Sequence, residues 1–183
     1  MNSMSIIPIS LIVACDKKGG IAKDGNIPWH YPQELKYFSK ITTKTQDPTQ
    51  INAIIMGRKT WDTLPKKPLP NRINIIISSK TESTSQMNMN VWVKSIEAAI
   101  EYIKSQSQIQ ETFVIGGESI YKEFITNYHK YIHRLYYTEI HNDFLCDQFF
   151  PIEWFDNHKE YTKSLIQKEY NIQELTYYMY EKE

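Results

Sequence analysis

Short β-branched runs alternate along the chain with stretches whose apolar residues recur every three or four positions. Residues 7–14, 52–56, 74–77, 91–93, 112–115 and 135–140 are apolar runs of strand length bounded by turn residues. Between them, 32–41, 96–104 and 118–125 carry helical periodicity. In the second of these, Ile96, Ala99, Ile100 and Ile103 line one face behind a capping Ser95. Gly57-Arg58-Lys59-Thr60-Trp61 starts a further helix directly from a strand. Two strand-like runs in the tail, 162–168 and 174–180 with Asn171 between them, predict a closing hairpin. The tract 80–90 is rich in Ser, Thr, Asn and Gln and reads as an exposed loop. This alternation predicts an α/β fold with a mainly parallel sheet, helices on both faces and an antiparallel edge. No repeat or internal boundary is visible, so residues 1–183 read as one domain.

One residue breaks the pattern of 32–41. Leu35, Phe38 and Ile41 share a face, Pro32 sits in the first turn, and Glu34 stands nearly in line with them. A buried carboxylate is costly without a partner, and acids are almost never fully buried alone. Two readings follow. Either Glu34 lies at a wet rim, or its partner arrives with a ligand whose adjacent N–H donors one carboxylate accepts side by side.

Composition narrows the class. The chain has 183 residues, enough to bury roughly 70% of its unfolded surface. Basic and acidic residues balance at 21 each, so charge gives no case for nucleic acid or an anionic membrane as partner. No apolar run nears the ~18–20 residues of a membrane span. Met1-Asn2-Ser3-Met4-Ser5 lacks the marks of a leader, and no Asn-X-Ser/Thr occurs. A reducing, cytoplasmic setting is expected. Cys15 and Cys146 form neither a disulfide framework nor a metal spacing. His129 and His133, four apart with no third ligand, read as surface histidines, and no metal is expected. Among the basic residues only Arg58, Arg72 and Arg134 are arginine. In so lysine-rich a chain these positions point to a need for the planar five-donor fork.

Ligands of such sheets collect beyond the carboxyl ends of the strands. The segments there are unusual: the glycine loop before Trp29, Gly57-Arg58-Lys59-Thr60, Ser78-Ser79-Lys80 and Gly116-Gly117. Gly57 and Gly116-Gly117 let backbone N–H groups approach an anion ahead of a helix N-terminus, although one Gly-Gly pair is usually only a turn. Arg58, Lys59, Ser78 and Ser79 offer fork, ammonium and hydroxyl contacts to a phosphate monoester. Neither G-x-G-x-x-G nor G-x-x-x-x-G-K-[ST] is present.

Taken in order, these residues resemble the dihydrofolate reductase family, from Ile9 to about Tyr180. The likeness rests on Gly20-Ile21-Ala22-Lys23-Asp24-Gly25-Asn26-Ile27-Pro28-Trp29, on Met56-Gly57-Arg58-Lys59-Thr60-Trp61 and on Pro68-Leu69-Pro70-Asn71-Arg72. It continues through Ile115-Gly116-Gly117-Glu118-Ser119-Ile120-Tyr121, Thr138-Glu139-Ile140 and Asp147-Gln148-Phe149-Phe150-Pro151. The resemblance implies an eight-stranded mixed sheet, mainly parallel, with an antiparallel C-terminal strand and about four helices. It also implies NADPH-dependent reduction of 7,8-dihydrofolate to tetrahydrofolate for one-carbon metabolism. The expected protein is a free-standing monomer that takes dihydrofolate and antifolate inhibitors.

The roles the resemblance implies are specific. Glu34 accepts from N3 and the 2-amino group of the pterin, with Thr138 bonded behind it. Ile12, Leu35, Phe38, Leu64 and Ile115 wall the ring. Trp29 holds a water near the acid, and Ile27 with its glycine neighbours forms a lid. Arg72 grips the α-carboxylate of the glutamate tail. On the cofactor, Ala14 and Tyr121 border the nicotinamide, and Thr60 and Gly117 hold the pyrophosphate. Arg58 and Ser78 read the 2′-phosphate. Ile21, Gly57, Lys59, Ser79, Lys80, Lys94, Gly116, Glu118, Ser119 and Ile120 complete the expected cofactor surface. Gly116-Gly117 is expected to join through a cis peptide.

Three positions depart from the family pattern. Ala22 stands in the lid where many relatives have glycine, and Asn71 replaces the glycine before Arg72 but tolerates positive φ. Lys80 follows Ser79 with no second arginine, which leaves the 2′-phosphate to Arg58. Met87, Met89 and Trp92 read as loop and packing. Two other functions fit the same fold. One is a non-catalytic ligand-binding or RNA-regulating protein; the other is a reductase of a ribosylated pyrimidine. The presence of Glu34, Arg72 and Gly116-Gly117 favours the folate enzyme over both.

Overall fold

The computed structural model describes residues 7–80, 89–168 and 174–183. The first strand, β1 (Ile9–Asp16), is followed by the short β2 (Gly20–Ala22) and helix α1 (Pro32–Thr43). Next come β3 (Ile51–Gly57), α2 (Arg58–Thr63), β4 (Arg72–Ile77), β5 (Asn90–Val93) and α3 (Ile96–Ser105). Then follow β6 (Ile109–Gly116), α4 (Glu118–Asn127) and β7 (Ile132–Ile140). The chain closes with β8 (Gln148–Phe149), α5 (Ile152–Asn157), β9 (Tyr161–Lys168) and β10 (Leu175–Lys182).

Among the described residues the main sheet has eight strands in the order β5-β4-β3-β6-β1-β7-β10-β9. The first six run parallel, and β10 pairs antiparallel with both β7 and β9. β1, β3 and β4 are apolar on both faces because helices cover both. Ile9, Leu11 and Val13 face one core with Ile55, Ile75 and Val114, under α3 and α4. Ile12, one step out of phase, faces the other core with Ile54, Met56, Phe113 and Trp61, under α1 and α2. Strand period two thus feeds two separate cores from one sheet.

The structure adds elements that periodicity does not reveal. β2 and β8 pair into a separate two-stranded sheet. Five helices are present among the described residues against about four expected; the extra one, α5, spans six residues. Both β2 and α5 are too short for a period to show. β6 and β7 begin three residues earlier than the apolar runs suggest, through Gln110-Glu111 and His133-Arg134. Ser95 caps α3 as expected, its hydroxyl accepting the Ala98 N–H. Asn171, Met87 and most of the tract 80–90 lie outside the described residues. No helix among the described residues is long and apolar enough to cross a membrane.

Candidate active site

The expectation of a buried apolar face on α1 needs correction. Only Thr42 of this helix is buried; Leu35 is 51% exposed and Phe38 and Ile41 are half-buried. Ile12, Phe38, Leu64 and Ile115 do meet, packed around Met56 and Trp61. Leu35 stands outside this cluster, facing open space beside Glu34. Large apolar groups exposed at the mouth of a cleft mark a binding surface more often than a fault.

Glu34 lies in the first turn of α1, deep among protein atoms although part of the residue remains open to the cleft. Burial alone pushes its carboxyl up to about 7. Thr138 is buried in β7, yet among the described residues it makes no hydrogen bond to Glu34. The bond expected behind the acid is therefore not formed here, and the carboxyl group keeps its acceptor capacity for the cleft.

Arg72, expected to grip a carboxylate tail, is buried at 3% exposure. Its Nε donates to Pro70 O at 2.9 Å and its Nη1 to Thr42 Oγ1 at 2.8 Å. The guanidinium lies 5.8 Å from the Phe38 ring centre, and burial lowers its basicity. Among the described residues no carboxylate pairs with it, so a desolvated cation stands without a counter-charge. Two asparagines set this geometry. Asn52 Nδ2 donates to the carbonyls of Thr42 and Lys44 and so closes the C-terminus of α1. Asn74 bonds both backbone groups of Leu69 and the Arg72 carbonyl, which fixes the 69–72 loop. Asn71 adopts φ 59, as its tolerance of that region allows.

The cofactor-side residues converge where β3 and β6 end side by side, Met56 opposite Gly116. A Cβ on Gly57 would meet Ile120 at 3.1 Å, and one on Gly117 would meet Thr60 Oγ1 at 3.4 Å. The Gly116-Gly117 bond is cis, as expected. Tyr121 is buried, with its hydroxyl donating to Ile12 O at 2.7 Å. It can hold the wall but has no free proton to give. Ala14 joins Trp29 in a cluster with Tyr37 and Phe144. Ile21 is buried, whereas Ile27 is 66% exposed.

Arg58 is not a free fork. Its Nε reaches both Asp62 oxygens at 3.1 Å, and the guanidinium lies 5.2 Å from the Trp92 ring centre. Ser78 is buried, its hydroxyl accepting the Lys80 N–H at 3.2 Å. Lys59, Ser79, Lys80, Lys94 and Ser119 are exposed. Glu118 turns its carboxylate toward Phe149 and away from the glycine turn.

The sequence reading missed Thr42 and Asp62 as partners of the two arginines. Asp62 follows Arg58 by four, so helical spacing could have shown that pair, whereas Thr42 and Arg72 lie thirty residues apart and carry no local signal. Two half-open hollows lie elsewhere. One of about 410 Å³ opens at the amino ends of β1, β6 and β7 beside Ser10, Glu111 and Arg134. Another of about 260 Å³ lies beside Asp16 and Cys146. Neither touches Glu34, and the first is at the end of the sheet opposite to where such folds bind ligands. His129 and His133 are divided between a 3-10 turn and β7, and no metal-ligating cluster occurs among the described residues. Cys15 and Cys146 are free thiols.

The cofactor-side residues gather near the carboxyl ends of the parallel strands of an α/β fold. The dihydrofolate reductase family pattern matches residues 8–182. The chain belongs to the dihydrofolate reductase family. A dihydrofolate reductase of Heliothis virescens is 40% identical over 152 residues, 81% of each chain. One of Drosophila melanogaster is 37% identical over 148 residues, 80% of each. The bifunctional dihydrofolate reductase-thymidylate synthase of Zea mays is 37% identical over 147 residues, 77% of this chain and 28% of that protein.

Proposed function

We propose that this chain reduces 7,8-dihydrofolate to 5,6,7,8-tetrahydrofolate with NADPH. The observation that carries the reading is a lone desolvated acid at one end of α1 and a buried cation without a counter-charge at the other. A substrate with an amidine edge at one end and a carboxylate tail at the other answers both. Glu34, ionised on binding, accepts from N3 and the 2-amino group as a paired, charge-assisted contact. Ile12, Phe38, Leu64 and Ile115 flank the ring and exclude water, which strengthens that contact. Arg72 receives the α-carboxylate through the part of its fork not used by Pro70 and Thr42.

The glycine cradle supports NADPH at the β3 and β6 ends, where side chains at Gly57 or Gly117 would intrude. Gly117, Thr60 and the first turn of α4 would hold its pyrophosphate; Arg58 and Ser78 would hold its 2′-phosphate. When bound, NADPH supplies the hydride that C6 of the pterin receives. N5 must gain a proton. Glu34, with an ordinary value displaced to about 7, is suited to relay one through water near Trp29. The thymidylate synthase fused to the Zea mays relative suits a place in one-carbon supply.

The test follows NADPH absorbance with dihydrofolate, with and without methotrexate. Wild type should oxidise NADPH and stop with the inhibitor. Glu34→Gln should keep NADPH binding and lose about 10²–10⁴ in turnover. Ligand binding without any oxidation would instead favour a non-catalytic protein, and unchanged turnover in the variant would remove Glu34 from the mechanism.

A further inference from the structure

Glu118 opens α4 directly after Gly117, an acid at the turn where an anionic pyrophosphate is expected. Its side chain goes sideways. Oε1 accepts the Phe149 N–H at 3.0 Å and the Lys122 ammonium at 2.9 Å. Burial opposes ionisation, but the Phe149 and Lys122 contacts outweigh it and hold the carboxyl below its ordinary range. It is an anion at neutral pH, neutralised on its own helix.

Phe149 belongs to β8, and the opposite edge of β8 pairs with β2 at Gly20. Phe150 N–H donates to Gly19 O and Asp147 N–H to Ala22 O, each at 2.9 Å. Asp147 Oδ2 takes the Asp24 N–H, also at 2.9 Å. One carboxylate thereby joins the first turn of α4 to the small sheet from which the segment bearing Ile27 and Trp29 departs. Lys23 and Asn26 bond each other's backbone and give that segment a stiff base.

We propose that Glu118 is a positioning residue that links occupancy of the α4 N-terminus to the placement of the 20–29 segment over the reaction site. The proposal rests on the NADPH-dependent reading above. An anion drawn to the α4 amides repels the Glu118 carboxylate and presses it toward the Phe149 N–H and Lys122. The grip on β8 tightens, and β2 with its outgoing segment follows. Without the carboxylate, the two-stranded sheet loses its side-chain tie to α4. The residue acts through Phe149 and need not touch the cofactor.

The full-length protein is compared as wild type, Glu118→Ala and Glu118→Gln. NADPH should slow exchange of the Phe149 amide in wild type and leave it nearly unchanged in Glu118→Ala. Single-turnover hydride transfer should fall roughly three- to tenfold in Glu118→Ala, the loss of one partly exposed charge-assisted bond. NADPH Kd should change less than about twofold, since the direct contacts remain. Glu118→Gln keeps an acceptor oxygen but no charge for the anion to repel, so it should regain part of the rate while NADPH protection of the Phe149 amide stays weak. Equal NADPH protection of Phe149 in wild type and Glu118→Ala would overturn the link. So would an unchanged hydride rate, or a Kd loss large enough to explain the slowing. The exchange measurement needs no turnover, so a protein that binds NADPH but leaves dihydrofolate unreduced would fail the functional reading alone.

Discussion

Arg72 donates to the hydroxyl of Thr42 at 2.8 Å, and Thr42 lies eight residues beyond Glu34 on α1. At 1.5 Å per residue the helix separates Glu34 from Thr42 by about 12 Å along its axis. Thr42 also donates to Phe38 O at 2.8 Å, so the hydroxyl that orients the arginine is itself fixed by the helix. α1 carries the acid and the hydroxyl that orients the arginine, while β4 carries the arginine itself.

Arg72→Lys should therefore keep a charge but lose the fork. KM for dihydrofolate should rise about 10–100-fold, the worth of a charged hydrogen bond or two. A dihydropterin without the glutamate tail should show almost no change. Steady-state kinetics with both substrates decides; equal losses would mean Arg72 supports the fold and not the tail.

The carboxyl of Glu34 sits near 7 in the folded protein against 4.5 for an ordinary glutamate. Between those values the native state holds a proton that the unfolded chain has released, so ligand-free stability falls as pH rises. At about 1.4 kcal/mol per unit the contribution lost is at most about 3 kcal/mol. Urea unfolding at pH 4 and pH 8 should show Glu34→Gln gaining on wild type by up to that amount at the higher pH. A constant gap would show that burial does not perturb the acid.

Arg58 is shared between Asp62 and the face of Trp92. Arg58→Ala should weaken NADPH roughly tenfold and NADH hardly at all, since only NADPH carries the 2′-phosphate. Asp62→Asn, which removes this ion pair, should shift the preference the other way by a smaller factor. Fluorescence titration with both dinucleotides checks this, and parallel losses would refute phosphate reading.

Gly116 has φ +118, and a Cβ there would lie 3.1 Å from Tyr121 Cε2; Gly25 has φ +77 with nothing within 4 Å. Gly116→Ala should cost about 1–3 kcal/mol in backbone strain plus the clash, and Gly25→Ala less. At about 2–4 °C per kcal/mol for a domain of this size, thermal melting should rank the two clearly. The reverse order would mean that Tyr121 yields easily.

The parallel strands were legible because Ile-rich runs such as 73–77 can be buried on both sides only in a covered sheet. The acid and glycine turns were legible because each breaks a local pattern. What stayed hidden depends on contacts between distant segments. Phe149 meeting Glu118, Asn52 closing α1 and Arg72 sinking to 3% exposure carry no periodic signature. The face of α1 was misjudged for a related reason. Apolar spacing reports that a surface avoids water; it does not say whether protein or ligand covers it.

Tyr177 of β10 stands opposite Thr138 of β7. The wall behind Thr138 is therefore finished by β10, which follows every other strand described here in the chain. A nascent chain halted before residue 175 would present β7 as a bare edge, ready to zip onto a neighbouring polypeptide. Stop codons placed just ahead of residue 175 should thus yield insoluble deposits, even though every motif named above would already have been translated.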